Sequence, residues 1–552
     1  MIVYREQKRR VRSSELLREI AKRLDGPILD LVVDFGEFES GVADALCPEA
    51  DTVSLQLLQM REAAVCLARA FYACSRKSEC EALWRSRFAA ALAELRELPQ
   101  DVVVSVQEGF AYYALYPQMY QETARRIAAD HGCASAAVIG IRTIGAALSA
   151  VVCGVLRELG WEAHCWTVRP RGHPFNRSIS VTAELEKAWL SIAGRLFLIV
   201  DEGPGLSGSS FAAVAGCLSR LGIPDERIIF LPSWIPEGSS FISEAARSRW
   251  VRHRKYHTSY EELWPVDSEL DLSAGRWRHR SYADEEQYPA VQRQHERRKY
   301  LGATAQGLCL HKFAGLGRYS AGKLERAALL ADAGFTPEPL GLENGFLISR
   351  YVEGNPCQPG DCRLLDRIAS YVTYIRERAP ASVPVPWLEL RHMIEINVVE
   401  TFGSQWDAQI RQLERMLPVI ADQQTVAIDG RMLPHEWIET AEGFLKTDAL
   451  DHHQDHFFPG CQDAAWDLAG AVVEFSWGQQ ERDALIATYR SYSNDRSIAL
   501  RLPFYLVAYL AYRLGYCILA RSAVADSPDA GRFELLERRY RNKLIAELSI
   551  YG

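Results

Sequence analysis

The sequence predicts an α/β protein: a doubly wound parallel sheet under a helical cap, followed by an α+β unit with a mostly helical remainder. Three observations carry that expectation. Short apolar runs alternate with helix-length segments between Asp101 and about Pro236, the spacing of right-handed crossovers in a parallel sheet. Residues from about Ser13 to Leu98 are rich in Leu, Ala, Glu and Arg, with helical periodicity over Thr52–Cys74 and Glu79–Leu95. Beyond Tyr300 a mixed stretch gives way to long helical segments.

A chain of 552 residues is too long for one ordinary core, so two to four domains are expected. The pattern divides it into a helical cap (1–98), a sheet domain (99–245), a connector rich in Arg and aromatics (246–299), a mixed segment (300–356) and a helical segment (357–552). Hydrophobic content of 48% with 24% charge suits a soluble enzyme. The net charge of -8 supplies no general basic field, which argues against a nucleic-acid partner. The 13 cysteines are odd in number and form no C-x-x-C pair, so reduced thiols are expected rather than structural zinc. The first ten residues lack a signal peptide's apolar stretch. Leu502–Leu519 is apolar but short and interrupted by Arg513, hence a buried helix and no membrane partner. The expectation is a cytoplasmic protein whose first helices carry no chemistry and form either a cap or a dimerisation element, with a homodimer among the possible partners.

The sheet elements follow in order. Asp101–Val106 is the first strand, and Gln107–Pro117 after it is aromatic. That segment is either core or a stacked aromatic wall, with Glu108 as hydrogen-bond partner. Ala136–Gly140 ends in glycine and opens a helix through Arg142 and Thr143. Ala163–Val168 leads into Arg169-Pro170-Arg171-Gly172-His173-Pro174-Phe175-Asn176-Arg177. Arg195–Val200 runs straight into Asp201-Glu202-Gly203-Pro204-Gly205-Leu206-Ser207-Gly208-Ser209-Ser210 and a further helix, and Ile228–Leu231 is the last strand. Small residues at a strand end let backbone amides wrap an anion, and the next helix adds its positive end. Ser207, Gly208, Ser209 and Ser210 therefore form a phosphate loop, and Asp201 and Glu202 suit ribose hydroxyls, directly or through Mg²⁺.

This apolar run, acid pair and Ser-Gly-Ser-Ser loop resembles the signature of the type I phosphoribosyltransferases, departing from it by one extra residue and by Gly203-Pro204-Gly205. The resemblance implies phosphoribosyl pyrophosphate, or another ribose 5-phosphate compound, as substrate, with Mg²⁺, an unnamed base as acceptor, and Asp201 and Glu202 as catalytic acids. It assigns Arg142 and Thr143 to a pyrophosphate loop, and Arg169, Arg171, His173 and Arg177 to a basic lid. Nearest is a type associated with tellurite-resistance and stress operons, which implies a nucleoside-like product.

In the second half, the strand Leu308–Phe313 bears Lys312 and the following helix bears Glu325. Asp429-Gly430-Arg431-Met432-Leu433-Pro434-His435-Glu436 precedes Phe444-Leu445-Lys446-Thr447-Asp448, and Asp463–Gly470 opens a helix. This order resembles the aminoglycoside-phosphotransferase and protein-kinase superfamily, implying a bilobal fold and ATP as ligand. Lys312 and Glu325 would pair at the nucleotide, Asp448 and Glu436 would hold metal, and Asp463–Gly470 would brace the catalytic loop. Arg431 stands where the superfamily has its catalytic Asp, leaving Asp429 as substitute base. Acids and histidines concentrate in Asp448–His456, read as metal ligands or as loop hydrogen bonding. The expected function is a phosphoribosyltransferase whose kinase-like half binds nucleotide and phosphorylates the product. The alternative is a sensor in which both folds bind ligands without turnover.

Overall fold

The computed structural model describes residues 1–5, 7–132, 135–192, 195–205, 207–236, 241, 243–267, 269–304 and 307–551. Leu206 of the phosphate loop lies outside them. The chain forms two compact units: Gln7–Asp267 with Phe313–Ala321, and Met1–Glu6 with Ser268–Lys312 and Gly322–Gly552.

The first is an α/β unit. Strand β1 (Lys8–Arg12) pairs antiparallel with β2 (Asp101–Ser105). Strands β3 (Ser135–Ile141), β4 (Glu162–Val168), β7 (Leu196–Val200), β8 (Ile228–Leu231) and β9 (Arg254–Lys255) form a parallel sheet in the order β4-β3-β7-β8-β9. Between β4 and β7, β5 (Arg171–His173) and β6 (Asn176–Ser178) make a hairpin. Parallel strands are covered on both faces, and β3, β7 and β8 are buried almost throughout. β2 instead alternates, with Val102 and Val104 inward and Val103 exposed. The expected first strand of the parallel sheet therefore belongs to a separate ribbon.

The cap is not a separate domain. Its helix Ile28–Leu46 is buried on nearly every side, and a Cβ on Gly36 would lie 2.5 Å from the Cβ of Ala147 in the sheet-covering helix Gly145–Glu158. Gly154 of that helix likewise abuts Ala68 of the cap helix Leu55–Ser75. The expected connector is also folded. In the helix Glu244–Arg252, Trp250 packs its ring 5.9, 5.7 and 5.2 Å from those of Phe211, Phe230 and Phe241, and β9 closes the sheet edge. The segment Phe313–Ala321 completes the unit. Leu316 N–H donates to Phe110 O at 2.9 Å, Gln107 N–H donates to the Tyr319 hydroxyl at 3.0 Å, and Arg318 pairs with Glu37.

The second is an α+β unit. Strands β10 (Lys299–Thr304), β11 (Gly307–Phe313), β12 (Pro339–Glu343) and β13 (Phe346–Arg350) form an antiparallel sheet in the order β10-β11-β13-β12, with the helix Lys323–Asp332 packed against β12. A three-stranded sheet follows from β14 (Asn355–Pro356), β15 (Trp437–Thr440) and β16 (Gly443–Lys446). The rest is helical around Ile498–Ala523. That helix is long and apolar enough to cross a membrane, yet 78% of its most apolar stretch is buried inside the protein. The first residues of the chain join this core through buried Val3, whose carbonyl accepts from Phe458 N–H at 3.0 Å. The described cysteines are all free thiols.

Candidate functional site

In the α/β unit the chain leaves β3, crosses to β4 on one side, and returns to β7 on the other. Such a reversal opens a crevice at the carboxyl ends of the two strands, and both candidate loops lie there. The first needs its glycines. A Cβ on Gly140 would sit 2.2 Å from Gly145 O, and one on Gly145 would sit 2.7 Å from Val200 O. In the second, Gly208 is left-handed at φ 59° and starts the helix Ser209–Arg220. Part of the loop expected to hold phosphate is satisfied internally: Gly208 N–H donates to Gly205 O at 3.1 Å, and Ser209 N–H donates to Ser207 Oγ at 3.3 Å. Ser209 Oγ donates to Pro174 O at 2.6 Å, so the tip of the β5–β6 hairpin rests on the loop, and Ser210 is half-buried beside it.

Burial pushes the Asp201 carboxyl up to about 7, against its own loop amides and the charge of Arg169. Burial, Glu108 and Asp201 raise Glu202 well above the usual carboxylate range. Glu202 accepts Gly109 N–H at 3.0 Å. The aromatic segment is core rather than a wall: Tyr112 and Tyr116 are buried, and Tyr116 lies 4.9 Å from the Trp264 ring.

The arginines are brought together, but around two cap carboxylates. Arg142 is only 3% exposed, pairs with Asp51 and lies 3.5 Å from Asp44. Arg169 binds Asp44 at 2.5 Å, Arg142 O at 2.6 Å and Thr143 Oγ1 at 3.2 Å. Arg171 donates to Cys47 O at 2.6 Å and lies 3.5 Å from Asp51. Arg177 donates to Pro170 O, and exposed His173 accepts from Phe175 N–H. Burial, with crowding by Arg169 and Arg171, lowers Arg142 to about 10. Asp44 and Asp51 escape a reading of the sequence because nothing in the cap marks them.

In the α+β unit, Lys312 on β11 pairs with Asp448, just beyond β16, and not with Glu325, which is exposed on its helix. The helix supplies a lysine instead: buried Lys323 binds Asp451 at 2.6 Å. The helix Ala465–Glu474 holds the turn at Asp429 and Gly430. Asp467 accepts the N–H groups of Asp429 and Gly430 at 2.9 and 2.8 Å, and Trp466 Nε1 donates to Gly430 O at 3.2 Å. Asp429, expected as substitute base, is enclosed: Tyr371 OH donates to it at 2.6 Å, Lys446 lies at 3.4 Å and His452 Nδ1 at 3.2 Å. Lys446, fully buried, also binds Glu436 at 2.8 Å and the Asp448 carbonyl. Burial opposes the charges, yet Asp429 and Glu436 hold Lys446 above its ordinary value, and Asp448 raises His452 to about 9. Arg431 lies 4.0 Å from Asp455.

Glu436, Asp448 and His452 each place one potential ligand atom within 4.8 Å of the others, including both carboxylates that the kinase resemblance assigns to metal. The donors do not fit Mg²⁺, which selects oxygen ligands. The third donor is an imidazole nitrogen, and ammonium groups already sit on Glu436 and Asp448.

No protein-family model matches the chain, and no curated protein matches it. The chain is similar to solved structures of kinases over about half its length. They include the choline kinase LicA from Streptococcus pneumoniae (17% identity, 45% of this chain and 90% of that one, TM-score 0.34). Others are a choline/ethanolamine kinase family protein from Mesorhizobium loti (15%, 50% and 98%, TM-score 0.33) and an aminoglycoside phosphotransferase from Alicyclobacillus acidocaldarius (11%, 49% and 91%, TM-score 0.32). Likenesses this low carry no inference about chemistry, which rests on the geometry above.

Proposed function

We propose that the chain is a transferase with two ligand sites, a phosphoribosyl site in the α/β unit and a nucleotide site in the α+β unit. The observation that carries the first is the placement of the Arg142 and Asp201 loops on neighbouring strands at the sheet's reversal. Ser207, Ser209, Ser210 and the helix end would hold a 5-phosphate. Asp201 and Glu202 would hold the ribose hydroxyls, and as adjacent, half-buried carboxyls they fit Mg²⁺ delivered with the substrate. A base nitrogen then attacks C1 as pyrophosphate departs, and the hairpin over the loop excludes water. Lys312, with Lys323 beside it, supports nucleotide phosphate binding in the other unit.

The test incubates the protein with labelled phosphoribosyl pyrophosphate, Mg²⁺ and a metabolite extract, and identifies any ribosylated product. Asp201→Asn with Glu202→Gln should abolish product without lowering the melting temperature. Undiminished turnover in that double variant would sink the reading.

A second reading, ligand binding without transfer, is favoured in the α+β unit by one observation: Asp429 is enclosed by Lys446, His452 and Tyr371 while Arg431 fills the base position. On that reading ATP binds and no γ-phosphate leaves with any acceptor.

A further inference from the structure

We propose that the α+β unit binds its nucleotide without a divalent metal, fixed ammonium groups standing where metal charge would be needed. The inference rests on the nucleotide reading above. Three carboxylates, Asp429, Glu436 and Asp448, converge where the kinase resemblance would place metal chemistry. Two ammonium groups answer them, Lys312 on Asp448 and Lys446 between Glu436 and Asp429, and the His452 ring fills the space between Asp429 (3.2 Å) and Asp448 (3.4 Å). The neighbouring acids are matched as well. Asp451 takes Lys323 at 2.6 Å and Arg297 at 3.3 Å, while Asp455 has Arg297 at 3.8 Å and Arg431 at 4.0 Å.

A dication entering this buried cluster would meet two ammonium groups at close range, where burial weakens screening. Lys446 cannot step aside. Its side chain is fully buried, anchored by two carboxylates and the Asp448 carbonyl. Lys312 and Arg431 keep partial exposure, and are the groups able to reach an incoming triphosphate.

The experiment titrates the full chain with a fluorescent ATP analogue in EDTA and in Mg²⁺, with Lys312→Ala as the control that locates the signal. Wild-type affinity should differ by less than about threefold between the two buffers. In Lys446→Met it should fall in EDTA and recover at least about tenfold in Mg²⁺, because Glu436 and Asp429 become available to metal. Since that variant risks misfolding, Mn²⁺ binding followed by electron paramagnetic resonance supplies an independent reading. Measured on the Asp201→Asn, Glu202→Gln background, it should detect no bound ion below millimolar concentration. A tenfold loss of nucleotide in EDTA, or a micromolar Mn²⁺ site, would overturn the proposal. Absence of binding in both buffers would overturn the nucleotide reading and this inference together.

Discussion

Asp51 joins the cap to the chemistry of the sheet. It pairs with a guanidinium that is almost wholly enclosed, so Asp51→Asn should leave the buried Arg142 charge with only Asp44 at 3.5 Å. A loss of roughly 3 kcal/mol is expected, read as a shift of the urea midpoint with unchanged slope. Asp44 is more exposed and faces the half-buried Arg169; Asp44→Asn should leave stability nearly intact and tighten pyrophosphate binding, which isothermal titration would report. In the other unit Tyr371→Phe removes a 2.6 Å hydrogen bond to Asp429 and should cost about 1 to 2 kcal/mol. These residues divide by legibility. Lys312, Asp448, Asp201 and Asp467 announce themselves because each sits at a strand end or helix start whose pattern is local. Asp44, Asp51, Lys446 and Tyr371 do not, since their roles arise from partners between 10 and 125 residues away.

Among strands and helices, period and burial explain both the agreements and the misses. β3, β7 and β8 are legible as continuous apolar runs, as parallel strands should be. β2 has equally apolar residues, yet only alternate ones are buried, and an apolar run alone does not distinguish the two situations. The segment after Ala246 reads as solvated because its arginines mask Trp250, Tyr256 and Tyr260, all buried. The Gly140–Gly145 turn makes a sharper demand. Gly140→Ala would press a methyl onto the backbone of Gly145, and an overpacking cost of about 2 kcal/mol or more is expected. Circular dichroism should show a lower melting temperature, and a neutral result would contradict the close approach.

Across the full chain, the two units should answer pH in opposite senses. Burial and neighbouring His456 lower His295 to about 4. The unfolded chain protonates this group near 6.5, so its stabilising contribution is present above that value and is lost as pH falls toward 4. Burial likewise lowers His435 and His453 to about 3, so both act in the same direction and, with His295, outweigh His452, whose raised value favours the folded unit as pH falls. In the α/β unit, burial outweighs Arg61 and raises Glu39 to about 7, and burial likewise raises Glu37 to about 8 despite Arg9. Their contribution is full below about 4.5 and disappears as pH climbs through those values. Calorimetry from about pH 7.5 to about pH 5 should therefore move the α+β transition down and the α/β transition up. Parallel movement of both would contradict these assignments.

The interleaving of the two units along the chain bears on biosynthesis. A nascent polypeptide that has emerged only through residue 267 contains every strand of the parallel sheet, yet it lacks the Phe313–Ala321 segment that caps Gln107 and neutralises Glu37. The opening five residues must likewise wait for Phe458 and Asn397 to be translated before their backbone finds its partners. Ribosome-arrested chains ending before and after residue 321 should differ in protease resistance over Gln7–Asp267, the longer one surviving.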